Sequence, residues 1–258
     1  MTLSGRVALV TGGGRGIGRA VAHALSEAGA AVAVAARTAD QVHAVAAELT
    51  VGGAKARAVR CDVGDASSVD QAVQEVTGSL GPVDILVNNA GIASSSPLHR
   101  TSLEEWERLF RVNATGSFLC IRTVLPGMTQ RGWGRIVNVA SVVGLTAAPY
   151  IAAYAASKHA QVGLTRAAAA EVAHTGVTVN AVCPGYVDTP MTRESVARIQ
   201  ERTGRTEEEA LEALRRQNPQ DRLIQPREVA YAVLAFCSPD AGGINGQALV
   251  LDGGQLLA

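Results

Sequence analysis

The stretch RVALVTGGGRGIGRAVAHAL, residues 6–25, decides the fold of this chain. Its first six residues form an apolar run of the kind found in strands buried on both faces. Glycines crowd the turn at 12–18, and beyond it Val21, Leu25 and Ala28 recur at helical spacing. A strand, a glycine turn and a helix in this order predict the first βα unit of a parallel sheet.

The same alternation continues along the chain. Apolar runs predict six further strands, at 31–36, 54–61, 83–87, 135–140, 177–183 and 248–251. Helical patterns fill the intervals, at 17–28, 40–49, 66–76, 102–128 with a bend near 113–116, and 152–173. No linker or fixed-period repeat divides the sequence. We therefore predict an α/β fold, a single-domain doubly wound parallel sheet (a Rossmann fold of about seven strands) over residues 1–258.

The segment at about 186–226 breaks this alternation. Thr189 and Pro190 are typical of a helix start, and Gly204 of a helix end. Thr206 and Glu209 have the spacing of a capping box, which predicts a second helix that stops before residue 219. Ligands of open α/β sheets bind beyond the carboxyl ends of the strands, so this helical hairpin is predicted to be a substrate lid. The alternative is a stabilising hairpin that contacts no ligand.

Composition excludes several function classes. Of 258 residues 47% are hydrophobic and 18% charged, and the formal net charge is +0, which argues against disorder and against a nucleic-acid partner. No apolar run is long enough to span a membrane, and the first residues lack a secretory pattern. Four dispersed cysteines predict a cytoplasmic protein without disulfides, and scattered histidines with no carboxylate cluster predict no metal.

The glycine turn, TGGGRGIG at 11–18, predicts a dinucleotide site. Glycine allows positive φ and lets backbone N–H groups approach a pyrophosphate, which the helix N-terminus also attracts. The spacing differs from G-x-G-x-x-G, and the position between a strand and a helix carries the prediction. The candidate cofactor residues in this turn are Gly12, Gly14, Arg15, Gly16, Ile17 and Gly18.

The end of the second strand discriminates between the two nicotinamide cofactors. An NAD site usually carries a carboxylate there for the ribose 2′-OH, whereas this chain has Arg37 and no carboxylate until Asp40. A guanidinium binds a 2′-phosphate, and Arg15 could supply a second positive charge. NADP(H) is therefore favoured over NAD(H), the alternative being that both arginines are merely solvated.

Tyr154 and Lys158 stand four residues apart in a strongly helical stretch, which puts them on one helix face. Ser141 follows the predicted fifth strand, at the edge where ligands bind. Ketone reduction needs an acid for the forming alkoxide, and a nearby ammonium and an oxidised nicotinamide would favour the phenolate of Tyr154. A fall of its pKa by ~3 units, equivalent to ~4 kcal/mol, is expected on this basis. Ser141 would hold the carbonyl oxygen.

Together, TGGGRGIG (11–18), CDV (61–63), NNAG (88–91), NATG (113–116), Ser141, YAASK (154–158) and NAVCPGYVDTP (180–190) resemble the short-chain dehydrogenase/reductase family over essentially the whole length. The resemblance implies a catalytic tetrad of Asn113, Ser141, Tyr154 and Lys158. It also implies that Lys158 bonds the nicotinamide ribose, that Asn113 holds a water at a helix irregularity, and that the protein is a homotetramer. The further cofactor residues it implies are Asp62 and Val63 at the adenine, Asn89, Ala90, Gly91, Pro184 and Gly185 along the groove, and Val187 and Thr189 at the carboxamide.

The stretches expected to border the substrate indicate its chemical class. The stretches 92–100 and 142–150 are rich in Ser, Ala, Leu and Val, which favours an apolar, uncharged ketone. The nearest resemblance is to 3-oxoacyl thioester reductases and polyketide ketoreductases, and 92–97 lacks the glycine-rich loop of the latter. A 3-oxoacyl thioester, carried on acyl carrier protein or CoA, is therefore preferred. The predicted substrate residues are Ser141, Val143, Tyr150, Tyr154 and Tyr186.

Two alternatives to a ketone reductase stay open, and a third is disfavoured. An NAD(P)-dependent catabolic 3-hydroxyacyl-CoA or secondary-alcohol dehydrogenase is the closest rival, and a non-catalytic cofactor-binding regulator represents another class. Enoyl reductases of similar fold have Tyr seven residues before Lys, where this chain has Ile151, so reduction of a C=C bond is disfavoured.

The arginines of the predicted lid are expected to form helical pairs, Glu194–Arg198, Glu201–Arg205 and Glu212–Arg216, rather than to dock a CoA or carrier phosphate.

Overall fold

The computed structural model describes residues 2–257. A single sheet of seven parallel strands runs in the order β3-β2-β1-β4-β5-β6-β7. Its strands are β1 (Val7–Thr11), β2 (Ala31–Ala36), β3 (Ala56–Arg60), β4 (Ile85–Asn88), β5 (Gly134–Val139), β6 (Val177–Pro184) and β7 (Ala248–Leu251). The order reverses between β1 and β4, which is where ligands bind in doubly wound sheets. The predicted fold class is confirmed.

Nine α-helices connect these strands within residues 2–257. They are α1 (Gly16–Glu27), α2 (Ala39–Val51), α3 (Ala66–Ser79), α4 (Leu103–Phe110), α5 (Gly116–Gln130), α6 (Ala152–Glu171), α7 (Pro190–Thr203), α8 (Glu207–Arg215) and α9 (Pro226–Cys237). None of these helices is long and apolar enough to cross a membrane.

The core lies in two layers, one on each face of the sheet. Alternate side chains of one strand face opposite ways, so Val10 joins the layer under α1 and α9 while Leu9 joins the layer under α3 and α5. Both residues are almost completely buried. Burial on two faces requires apolar residues at every strand position, which is why the strands are continuous apolar runs rather than alternating ones.

The predicted helix at 102–128 is present as an uninterrupted helical stretch, 103–130, with an irregularity where the bend was expected. A π-helical turn, Arg111–Thr115, separates α4 from α5, so the bend expected near 113–116 is an actual change of helix type. Two strands are also shifted, because β3 covers only Ala56–Arg60 and β4 ends at Asn88. Such one- or two-residue differences at element ends are usual.

The predicted helical hairpin is present as α7 and α8. Thr189 caps α7 by accepting a hydrogen bond from the Thr192 N–H, and Gly204 ends that helix with a φ of 69°. The Thr206 N–H donates to Glu209 Oε2 at 2.8 Å, and the Glu209 N–H donates back to Thr206 Oγ1 at 3.2 Å. This capping box starts α8 at the residue that its sequence pattern predicted.

Candidate active site

The turn between β1 and α1 has no room for a side chain at two of its glycine positions. Gly12 has a φ of 62°, and a Cβ there would lie 2.8 Å from the Ala90 Cα. A Cβ on Gly18 would collide with the Gly12 carbonyl and the Asn89 side chain. Glycine at these two positions therefore lets the turn fold tightly against the end of β4.

The N-terminus of α1 offers a binding site for a phosphate group. Arg15 occupies the N-cap position and makes no side-chain hydrogen bond to the first turn, so the leading N–H groups lack a side-chain partner. Asn89 Nδ2 donates to the carbonyls of Thr11 and Gly12 at 3.0 Å each, which holds those oxygens away from the turn's N–H groups. An uncapped helix start behind a bare glycine turn fits a dinucleotide pyrophosphate.

The two arginines proposed for a 2′-phosphate differ in their contacts. Arg15 Nη1 lies 3.1 Å from Glu194 Oε1 on the lid helix α7, an ion pair that was not predicted. Arg37 follows β2, is exposed, and forms no ion pair within residues 2–257. The glycine turn and α2 are adjacent, since a Cβ on Gly14 would touch Gln41. Of the two arginines, Arg37 is therefore the one without an ion pair among residues 2–257.

The residues predicted to contact the adenine follow β3. Asp62 is half-buried, and its Oδ1 accepts a hydrogen bond from the Gly64 N–H at 3.0 Å. Val63 is buried and packs so closely on Gly116 that a Cβ there would lie 2.8 Å from Val63 Cγ2. Both residues lie at the carboxyl edge of the sheet, as expected.

The residues predicted to contact the nicotinamide carboxamide follow β6. Pro184 ends that strand, and a parallel bridge pairs Val187 with Ile224. Thr189 stands beside the glycine turn, with its Cγ2 3.2 Å from where a Cβ on Gly16 would lie. The segment that leads into α7 therefore leaves the sheet beside the start of α1.

Ser141 and Tyr154 come together at the carboxyl end of β5. Ser141 Oγ lies 3.5 Å from the Pro184 carbonyl, and the Val143 N–H donates to it at 3.4 Å. Burial raises the pKa of Tyr154 to about 12, while a hydrogen bond with Ser141 acts in the opposite direction. The fall expected for this pKa involves the bound oxidised nicotinamide, and it stays a prediction.

Lys158 is buried one helical turn beyond Tyr154. Its Nζ donates to the Val139 carbonyl at 2.9 Å and to Gln161 Oε1 at 2.9 Å. Burial lowers the pKa of Lys158 to about 8, opposed by nearby Cys183. Gln161 was absent from the sequence-based set, although a glutamine three residues after a catalytic lysine on a buried helix face is a detectable signal.

Asn113 lies at the middle of the π-helical turn and is fully buried. Its side chain exchanges two hydrogen bonds with the backbone of Ile92, at 2.9 and 3.0 Å, and donates to Ser157 Oγ at 2.9 Å. All side-chain bonds of Asn113 therefore tie the loop after β4 to α6. Its backbone carbonyl accepts a hydrogen bond from Ser117 Oγ at 3.2 Å.

The predicted substrate residues lie at different depths. Ser141 is buried, Val143 is half-buried, and Tyr186 is 37% exposed. Tyr150 is 64% exposed with a φ of 68°, so it stands at the rim rather than inside a pocket. Its carbonyl accepts from the Ser96 N–H at 2.7 Å, which joins the two loops that border the cleft.

The lid arginines follow the predicted pairing only in part. Arg216 and Glu212 are paired at 2.9 Å, as predicted. Glu194 instead pairs with Arg15, and Arg198 donates to Ser195. Arg202 Nη2 donates to the Ser95 carbonyl at 2.8 Å, so the end of α7 touches the loop after β4.

Fold and site together define the class of this protein. A doubly wound parallel sheet with a bare glycine turn at β1, and Ser, Tyr and Lys at its carboxyl edge, is the architecture of a nicotinamide-dependent oxidoreductase. The family model for short chain dehydrogenase matches residues 6–200, and the chain belongs to this family. The predictions of the family and of an oxidoreductase acting on hydroxyl and keto groups are confirmed.

Three relatives cover nearly the whole chain. The D-beta-hydroxybutyrate dehydrogenase of Rhizobium meliloti is 37% identical over 254 residues, 96% of this chain and 98% of the relative. The 3-oxoacyl-(acyl-carrier-protein) reductase FabG of Aquifex aeolicus is 38% identical over 254 residues, 98% of each chain. A crystal structure of actinorhodin polyketide ketoreductase with NADPH superposes with a TM-score of 0.94 and 39% identity, over 99% of each chain.

Proposed function

We propose that this protein is an NADPH-dependent ketone reductase that acts on a 3-oxoacyl thioester or a related apolar ketone. One observation carries the proposal: Ser141 and Tyr154 are neighbours at the carboxyl edge of the sheet, with Lys158 one helical turn away from the tyrosine. The names of the relatives support ketone reduction, and the NADPH in the actinorhodin ketoreductase structure supports the cofactor.

The chemistry assigns each residue a step. When bound, reduced nicotinamide supplies the hydride. Ser141 donates a hydrogen bond to the substrate carbonyl oxygen and stabilises the negative charge that grows there. Tyr154 gives its phenolic proton to that oxygen, so the products are the alcohol and a phenolate that is reprotonated from solvent. A pKa of about 12 keeps Tyr154 protonated at neutral pH, which suits an acid for reduction.

The groove offers a partner for each part of the cofactor. The first turn of α1 would hold the pyrophosphate, Asp62 and Val63 the adenine, and Arg37 the 2′-phosphate. The remaining groove residues are Asn89, Ala90, Gly91, Pro184, Gly185, Val187 and Thr189, with Lys158 at the nicotinamide ribose. Arg15 can join the 2′-phosphate only by leaving Glu194.

A spectrophotometric assay of NADPH oxidation tests the substrate class. We expect acetoacetyl-CoA to give a higher kcat/KM than simple, cyclic or aromatic ketones lacking a thioester. A preference for simple ketones, with no gain from the thioester, would contradict the thioester proposal.

The second candidate, a dehydrogenase that oxidises a 3-hydroxy compound, is favoured by the Rhizobium meliloti relative. It predicts a larger kcat/KM for 3-hydroxybutyrate with oxidised cofactor than for ketone reduction at the same pH.

The pH dependence of reduction should follow Lys158. Burial lowers its pKa to about 8, so the ammonium is present below that pH and is lost as the pH rises through it. We expect kcat to be level from pH 6 to about 7, to halve near pH 8, and to fall by about tenfold per unit above about pH 9. Initial rates at saturating NADPH across pH 6–10 check this, with return to pH 7 as the control for irreversible unfolding. A level profile up to pH 10 would contradict it.

We also propose a cytoplasmic homotetramer. All four cysteines are buried free thiols, as expected in a reducing compartment. Leu103, Trp106 and Phe118 on α4 and α5 are large apolar side chains left 38–66% exposed, which favours burial against another subunit. Light scattering of the purified protein distinguishes a tetramer from smaller forms.

A further inference from the structure

Lys158 is held by a chain of buried side chains that leads back to the π-helical turn. Gln161 accepts from Lys158 Nζ at 2.9 Å, and its own Nε2 donates to Ser117 Oγ at 2.7 Å. Ser117 Oγ in turn donates to the Asn113 carbonyl at 3.2 Å. Gln161 is 0% exposed and Ser117 3%, so these bonds are formed without competition from bulk water.

Two of the three N–H donors of the Lys158 ammonium group are already used within the protein. It has three N–H donors, of which the Val139 carbonyl accepts one and Gln161 Oε1 accepts another. A Cβ on Gly91 would lie 3.6 Å from Nζ, so the absence of a side chain there leaves Nζ open toward the groove. The third N–H is thus the only one free to reach a ligand.

The hydrogen bonds that link Lys158, Gln161 and Ser117 have a defined donor-to-acceptor direction. Gln161 can offer its oxygen to Lys158 only because its NH₂ group has an acceptor on the other side, Ser117 Oγ. Ser117 can accept that bond because its own proton is donated to Asn113. If Ser117 lost this role, the amide of Gln161 could flip and present a donor to the ammonium, which would be repulsive.

We propose that Gln161, supported by Ser117, is a positioning residue that directs the Lys158 ammonium toward Tyr154 and the nicotinamide ribose. The inference rests on the proposed function, since it assigns Gln161 to the catalytic lysine of that site. Gln161 touches neither substrate nor cofactor. Its effect is exerted entirely through the orientation of Nζ, whose misplacement by a fraction of an ångström lowers the rate of the chemical step.

The first test is Gln161→Leu, which keeps the size and helical preference but removes the acceptor. We expect kcat for ketone reduction to fall between about 10- and 100-fold. The Kd for NADPH, measured by fluorescence titration, should change by less than about threefold, because the glycine turn and Arg37 are untouched. Thr165→Val is the matched control: Thr165 is buried on the same helix and donates to the Gln161 carbonyl without contacting Lys158. It should lose thermal stability while keeping kcat.

The second test is Gln161→Glu, which restores an acceptor for the ammonium. We expect it to recover kcat to within about fivefold of the parent, a rescue that a purely structural role would not produce. Equal losses of kcat in Gln161→Leu and Gln161→Glu, in folded protein that binds NADPH, would overturn the inference. So would an unchanged kcat in Gln161→Leu. Retained activity in Tyr154→Phe would instead overturn the proposed function, so the two failures are distinguishable.

Discussion

Tyr154→Phe should lower kcat for ketone reduction by about 1,000-fold or more, within the range that a positioned general acid contributes. The phenyl ring keeps the packing of Tyr154 but has no proton to give to the carbonyl oxygen. Ser141 keeps its contacts with the Pro184 carbonyl and the Val143 N–H. Rapid-quench or steady-state assays with saturating NADPH measure the effect.

The controls for this variant separate chemistry from folding. Binding of NADPH should stay within about threefold of the parent, because the pyrophosphate and 2′-phosphate partners are remote from the phenol. Tyr231→Phe removes a hydroxyl from a tyrosine that is 75% exposed on α9, and should leave kcat unchanged. If Tyr154→Phe keeps more than a tenth of the parent activity, Tyr154 is not the acid.

Arg37→Asp should reverse the cofactor preference. The parent is expected to prefer NADPH, and the variant should change the ratio of kcat/KM for NADPH over NADH by about 100-fold, equivalent to about 2.7 kcal/mol. The carboxylate repels a 2′-phosphate and accepts a hydrogen bond from a ribose 2′-OH, so one substitution acts on both cofactors in opposite directions. Arg15 compensates little, because its guanidinium is already paired with Glu194.

A charge-matched control isolates the local effect. Arg227→Asp makes the same change in net charge at an exposed position of α9, and should leave the cofactor ratio within about threefold of the parent. Dissociation constants for both cofactors give a second reading that does not depend on the substrate. A parent enzyme that uses NADH as well as NADPH, or an Arg37→Asp variant with an unchanged ratio, would contradict the assignment.

The architecture was predictable because each part of it depends on neighbours in sequence. An apolar run such as 6–11, a glycine turn and a helical stripe are patterns of a few residues, and the handedness of βα units leaves few ways to assemble them. The hairpin of α7 and α8 was predictable for the same reason, since Thr189, Gly204 and the Thr206–Glu209 box are local signals. Tyr154 and Lys158 share a face of one helix, so their spacing alone predicted that they lie together.

Contacts between distant segments could not be read in this way. Arg15 meets Glu194 across 179 residues, and Gln161 meets Ser117 across 44, so neither pair leaves a periodic trace in the chain. Burial likewise raises the pKa of Tyr154 in the chain without cofactor, an effect of segments that close over the phenol and that only the packed molecule shows. The sequence by itself determined the sheet, the glycine turn, the hairpin and the Tyr–Lys couple, because those follow from local geometry. The tertiary structure alone decided that Arg15 pairs with Glu194 and what holds the lysine, because these depend on charges and hydrogen-bonding groups brought together from remote parts of the chain.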